Sequence, residues 1–219
     1  MPRPGHRWTP LADRVLLVAT YYRTNLTMRQ LAPLFGFWPA AVHRIIDRLG
    51  PYLALAPTRR RYDPDTVPIV DGTLIPTRDK SIAASSKNYR TSVNLQVMIN
   101  AATRLVVAVG QPTPGNHNDC TAWTESKTCR AADQATVLAD GGYQGTGLLM
   151  PRRRKVGQDR LPDWKEANNT THRKVRARIE HTFAAMKCWT ILRDCRRRGR
   201  GVYWATTGIA RLRNLALTG

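Results

Sequence analysis

The chain lacks any apolar run of the ~18 residues that a membrane-spanning helix needs, so no span is expected. Its first residues, MPRPGHRWTP, are basic and are followed by no apolar segment of the secretory type. Cysteine is scarce. Cys120, Cys129, Cys188 and Cys195 are never two residues apart, and the five His form no H-x3-H pair. Zinc sites of the usual spacing are therefore not expected, nor is a disulfide framework; the thiols read as those of a reduced, cytoplasmic protein. Acid is also short: 15 Asp and Glu face 35 Lys and Arg, for a net charge of +20. Such a surplus implies a polyanionic partner, with nucleic acid first among them. What is present in quantity is apolar. At 42% hydrophobic over 219 residues, the chain can bury one ordinary domain and a small second one.

The charge is uneven. Residues 1–60 carry 9 basic and 2 acidic residues, a net of +7; residues 61–150 carry 8 of each; residues 151–219 carry 18 and 5, a net of +13. A protein that merely coats a polyanion has no need of an acidic middle. An enzyme that holds metal ions beside a phosphate does.

Residues 9–50 read as helical. LADRVLLVATYY is followed by MRQLAPLFG, opened by Thr27 and closed by Gly36, and by WPAAVHRIIDRLG, with Pro39 near its start and Gly50 at its expected stop. Pro33 counts against a regular middle helix. The pattern is that of a helix-turn-helix, whose third helix turns His43, Arg44 and Arg48 away from its apolar stripe. PYLALAPTRRRYDPDT, with three prolines and an arginine run, reads as a linker. The expected division is a helix-turn-helix unit at 1–52, a linker at 53–66 and a catalytic unit at 67–219.

From residue 67 the texture becomes strand-like. VPIVDGTLIP, SVNLQVMINA and TRLVVAVGQ read as strands, the last two joined by a tight connection at Ala102-Thr103. A helix over 118–132 is expected, then a buried strand ATVLAD, a long helix over about 163–189 and a last one over about 202–217. Strand, strand, strand, helix, strand, helix predicts an α/β fold: a ribonuclease H-like mixed sheet with flanking helices, preceded by the small all-α unit.

Two carboxylates interrupt buried strands. Asp71 follows Val67 to Val70, and Asp140 follows Thr136 to Ala139. Such a charge is unfavourable unless a cation or hydrogen bonds compensate it. In the expected sheet the two strands are neighbours, so the acids meet. A third acid, Glu180, shares a helix face with Arg173, Arg176 and Lys187, all within about 40° by the 3.6-residue period. Alone, that face reads as a surface ion-pair cluster; beside two strand aspartates it completes the three-carboxylate set that two-metal phosphoryl transfer requires. Asp119 reads either as a cap, with Asn118, or as a supporting acid.

VDGT at 70–73, LADGGY at 138–143 and the R-x3-E-x6-K formed by Arg176, Glu180 and Lys187 resemble the DDE transposases of bacterial insertion sequences, in particular the Harbinger-type DDE endonuclease group. QPTPGNHNDCTAW at 111–123 is similar to that family's Pro-Gly-x-x-x-Asp segment, which adds Asp119, and KNYRTSVNLQV at 87–97 resembles its first-to-second strand region. The likeness runs from residue 67 to about 195. It departs at Arg173, where relatives carry Tyr.

The resemblance implies that Asp71, Asp140 and Glu180 form a catalytic triad for two Mg2+ or Mn2+ ions. It implies DNA cleavage at element ends and strand transfer into target DNA. Arg176, Lys187, Arg173, Arg152, Arg153 and Arg154 would meet phosphates, and Arg44 and Arg48 the element end. The implied partners are double-stranded DNA, as terminal inverted repeats and as target, and a second copy of the chain in a synaptic complex. The expected location is cytoplasmic, at the nucleoid. A domesticated or inactive DNA-binding regulator and a plain endonuclease of the same fold remain alternative readings of the same residues.

Overall fold

In this computed structural model, residues 10–56, 66–86, 90–132 and 135–219 are described. The arginines of the expected linker (59–61), the first nine residues and positions 87–89 of the family-like segment lie outside the described residues.

Helix α1 (Leu11–Thr24) buries Leu17, Val18, Tyr21 and Tyr22. Asn25 ends it in the left-handed conformation, φ 54°. Helix α2 (Met28–Phe35) opens on a capping box: Thr27 Oγ1 accepts from the Gln30 N–H, and Gln30 Oε1 accepts from the Thr27 N–H. Gly36 closes it at φ 68°. Pro33 lies inside α2 on its exposed side, so a regular middle helix forms in spite of it. Helix α3 (Pro39–Leu53) starts at its proline as expected. Its expected stop at Gly50 is corrected, because the helix runs on to Leu53. Gly50 is buried, and a Cβ there would lie 2.9 Å from the Tyr22 hydroxyl. Close approach of α1, not helix termination, calls for this glycine.

The sheet comprises β1 (Pro68–Pro76), β2 (Ala84–Ser85), β3 (Thr91–Asn100), β4 (Val106–Val109) and β5 (Thr113–Pro114). Strand β3 is central and pairs antiparallel with all the others, with Asp71 opposite Val97 and Gly72 opposite Gln96 on β1. The turn between β3 and β4 is held by Asn100, whose Oδ1 accepts from the N–H groups of Ala102 and Thr103. Helix α4 (Asp119–Glu125) is shorter than expected. The chain turns at Lys127, φ 62°, before α5 (Cys129–Ala132). The expected fourth strand is reduced to bridges: Leu138 pairs in parallel with Ile69 on one side and with Leu149 on the other. Helix α6 (Asp163–Lys187), a 3-10 turn at Thr190–Leu192 and α7 (Gly201–Thr218) complete the chain. Three antiparallel strands, a fourth segment parallel to the first and helices on both faces make a ribonuclease H-like α/β fold.

Alternation along the strands serves two cores. Ile69, Ile75, Val93, Leu95, Val97 and Ile99 join a core with α6 and α7, whereas Val70 and Met98 face Trp123, Ala139 and Tyr143. The first core also contains Leu17, Val42 and Ile46 from the N-terminal helices. The helical unit and the sheet therefore share one apolar interior. Polar ties run beside it: Asn25 Nδ2 donates to the Asp194 carbonyl at 2.8 Å, and the Leu55 N–H to the Thr207 carbonyl at 3.1 Å.

Asn25 carries both a left-handed backbone and this long-range bond. Asn25→Ala is expected to destabilise the protein by about 1–3 kcal/mol in urea unfolding. Asn25→Gly should recover the backbone part of that loss; equal losses in both variants would place the whole cost in the side-chain bonds.

Candidate active site

The parallel pairing of Ile69 with Leu138 sets the site. Two residues further along each segment, on the same face, stand Asp71 and Asp140. Adjacent strands lie ~4.8 Å apart, so the two carboxylates are neighbours. Each is followed by a glycine, and each carboxylate accepts from a backbone N–H just beyond it: Gly72 N–H donates to Asp71 Oδ1 at 2.9 Å and Gly142 N–H to Asp140 Oδ1 at 2.7 Å.

Helix α6 brings a cation to this pair. Arg176 Nη2 donates to Asp71 Oδ2 at 2.8 Å, with only 19% and 16% of the two side chains exposed. Burial raises the Asp71 carboxyl to about 6 against the pull of Arg176, and the charge of Asp140 adds to the rise. The Nε of Arg176 is buried and makes no hydrogen bond among the described residues.

The third acid drawn to the site is Asp119, on the first turn of α4. Asn118 caps that helix, its Oδ1 accepting from the Thr121 N–H at 2.9 Å, so the Asp119 carboxylate is left for other work. It accepts from Asn94 Nδ2 at 3.3 Å and from Gln96 Nε2 at 3.4 Å, both buried on β3. Gln96 in turn accepts from the Tyr143 hydroxyl. Burial, then the charges of Asp119, Asp71 and Asp140, push the Tyr143 hydroxyl up, so it stays a neutral donor. Two glycines make room. A Cβ on Gly72 would lie 2.5 Å from Asp119 Oδ1, and one on Gly142 would lie 2.9 Å from Asp140 Oδ1 and 3.1 Å from Asp119 Oδ2.

The remaining site residues fall in three groups. Arg153 reaches the site, its Nη2 donating to the Gly141 carbonyl. Its neighbours Arg152 and Arg154 are exposed on the same loop, with the Arg152 backbone pinned to Asn169 and Arg154 Nη1 donating to the Asp159 carbonyl. Glu180 lies one turn beyond Arg176 on α6 and is exposed, as is Arg173, which donates to Thr170 Oγ1 at 3.1 Å. Lys187 closes α6 half-buried, and burial lowers its pKa. Arg44 and Arg48 are exposed on α3. Among the described residues no three His, Cys, Asp or Glu side chains stand together as a group that could hold a metal ion. The two neighbouring donors, Asp71 and Asp140, are carboxylates, whose oxygens suit a hard divalent cation such as Mg2+ or Mn2+. Even with Arg176 against it, the Asp71 carboxylate is disfavoured by burial and by the charge of Asp140, so further positive charge there would stabilise it.

Sequence reasoning did not single out Asn94, Gln96 or Tyr143. The signal was there in SVNLQVMINA, where polar residues alternate with apolar ones on a strand otherwise buried on both faces.

A carboxylate pair on β1 and on the bridged segment parallel to it in a ribonuclease H-like sheet, facing a basic helix, belongs to the class of enzymes that break and join phosphodiester bonds. Comparison narrows this. A family described as "Transposase DDE domain" matches residues 62–215, and one described as "Helix-turn-helix of DDE superfamily endonuclease" matches residues 10–58. The putative transposase for insertion sequence element IS112 of Streptomyces albus G is 63% identical over 218 residues, spanning 99% of this chain and 85% of that protein. Among solved structures, a pre-cleavage Mos1 transpososome is 12% identical with a TM-score of 0.28, covering 99% of this chain and 81% of that one. A Mos1 mariner paired-end complex with Mn is 11% identical with a TM-score of 0.24, covering 98% and 81%. The chain belongs to the DDE transposases, which cleave DNA and transfer strands and typically use divalent metal ions.

Because the Asp71 carboxyl sits near 6 in the fold, above its ordinary 3.8, its ionised form is disfavoured by folding. The cost appears as pH rises through the unfolded value and is complete above the folded one. In metal-free buffer, Asp71→Asn is therefore expected to match the parent below pH ~4 and to be more stable by about 1–3 kcal/mol above pH ~6. Thermal unfolding across that range checks this; a variant less stable at neutral pH would show that Arg176 more than compensates the buried charge.

Proposed function

We propose that this transposase cuts and joins DNA at Asp71, Asp140 and Glu180, within the Harbinger-type group of its family. The observation that carries the reading is the pair of carboxylates side by side on adjacent strands with the Arg176 guanidinium against one of them. Asp71, Asp140 and Glu180 would hold two Mg2+ or Mn2+ ions, which supply charge neutralisation at the scissile phosphate and activation of a water or DNA 3′-hydroxyl nucleophile.

The chain's own side chains do the rest. Arg176 leaves Asp71 for the phosphate, and its Nε, which has no partner among the described residues, gives it a second donor for the bidentate contact that guanidinium makes with phosphate. Its departure opens the face of α6 on which Glu180 stands one turn on. Asp119, fixed by Asn94 and Gln96, supports the acids from the opposite side of β1. Tyr143, kept neutral, holds Gln96 in place. Arg153, with Arg152 and Arg154 beside it, and Lys187 and Arg173 along α6 position the backbone around the cut.

The division of labour is a sequence-reading unit at 1–52, a linker at 53–66 and the catalytic unit at 67–219. The element's terminal inverted repeats and then the target duplex are the DNA partners. Two ends held together imply a homo-oligomer at work, at the nucleoid.

Nicking of a duplex carrying the element end, with Mg2+ or Mn2+ supplied, tests this. Asp71→Ala, Asp140→Ala and Glu180→Gln should each lower the rate by on the order of 10^3-fold or more while gel-shift affinity is kept. Full activity in Glu180→Gln alone would pass the third acidic role to Asp119, and full activity in all three would sink the assignment.

A further inference from the structure

The segment between the 3-10 turn and α7 is among the most basic stretches of the chain, with arginine at 193, 196, 197, 198 and 200. It is not a loose tail. On one side it is stitched to the end of β1: Cys195 N–H donates to the Pro76 carbonyl at 2.8 Å, and Arg78 N–H to the Cys195 carbonyl at 3.1 Å. On the other side it is stitched to the helix-turn-helix. Arg196 Nε donates to Asn25 Oδ1 at 3.3 Å, and Arg197 forms an ion pair with Asp47 of α3. Asp47 is also 3.0 Å from His43 one turn earlier.

The result is a groove of about 500 Å3 with an apolar part formed by Tyr21, Leu26 and Met28 and a polar rim that includes His43, Asp47 and Arg196 to Arg198. One wall is α3, which contributes His43 and Asp47; Arg44 and Arg48 are exposed beside them on the same helix. The other wall comes from the catalytic unit. Arg197 is committed to Asp47, with 14% of its side chain exposed. Among the described residues Arg196 bonds through its Nε alone, to Asn25, and Arg198 is exposed. A guanidinium has five N–H donors, so Arg196 keeps others for an incoming acceptor.

We propose that this groove is a composite DNA interface: Arg196 and Arg198 of the catalytic unit grip the phosphate backbone beside the base pairs that α3 meets. Asp47 acts as a positioning residue, locking Arg197 and with it the backbone that carries the two gripping arginines. The occupant is the sugar–phosphate backbone of a duplex, by charge complementarity. On the polar rim three arginines and a histidine face one carboxylate that is already paired, which leaves that rim cationic. Holding the arginines in place beforehand removes part of the ordering cost of binding. The proposal rests on the reading that α3 meets DNA, and it adds that α3 does not read alone.

The test uses the full chain, a duplex carrying the element's terminal repeat and a scrambled duplex of equal length, with Kd measured over a series of salt concentrations. The Arg196→Gln/Arg198→Gln double variant should bind both duplexes about tenfold or more weakly at low salt and show a salt slope smaller by roughly 2, one unit per lost phosphate contact. Its preference for the cognate duplex should be kept. Arg198→Glu, at an exposed position where folding is not at stake, should weaken both duplexes further than loss of the charge alone. Arg44→Ala should instead reduce the preference. An unchanged slope and affinity in the arginine variants, with preference lost in Arg44→Ala, would overturn the composite groove and leave α3 as the reader. If Arg44→Ala also bound as the parent does, the reading of α3 would fall with it.

Discussion

Two like charges on neighbouring strands are the constraint around which this fold is arranged. Asp71 and Asp140 stand together because Ile69 and Leu138 pair in parallel beneath them. The proximity is unfavourable by itself, and the surroundings answer it. Arg176 comes in from α6, and the N–H groups of Gly72 and Gly142 turn toward the carboxylates. Buried amides on β3 hold a third acid close without bringing more bare charge into the interior. An acidic cluster of this sort persists because the strands around it are fixed by burial on both faces: hydrophobic free energy holds in place what electrostatics alone would push apart.

The two strand aspartates were legible in the sequence because a carboxylate inside a β-branched run is costly to bury unless a cation or a ligand is there to meet it. The helix-turn-helix was legible from its glycine and proline punctuation, and Thr27, Gly36 and Pro39 hold the positions expected of them. Gly50 misled, since a glycine after an apolar stripe looks the same whether it ends a helix or admits a tyrosine from another one. The helix expected over 118–132 broke because Lys127 takes a left-handed turn, which no residue type at that position announces. Asp119 could be weighed but not settled, because Asn118 and Asp119 are equivalent caps on paper. Only the bond from the Thr121 N–H to Asn118 shows which one caps.

The ties across the molecule were the least legible. Arg197 and Asp47 are 150 residues apart, and each sits in a stretch rich in other partners. An arginine run reads as solvated surface until a neighbour from another part of the chain is placed against it. The same holds for Asn94 and Gln96, whose meaning depends on a tyrosine and an aspartate delivered by separate loops. Local pattern carries the elements and their caps; pairings over such distances depend on tertiary geometry.

The shared interior has a consequence for how the protein comes into being. Leu17, Val42 and Ile46 are buried with Val202 and Ile209, and Asn25 bonds to a carbonyl 169 residues further along. The first three helices cannot complete their packing on the ribosome, because the surfaces they bury against are translated after them. Until α7 emerges, the nascent chain must carry an uncovered apolar face and a strongly cationic one. Loop closure over that span is also slow compared with local helix formation. The packing of the first three helices is thus complete only once α7 is in place.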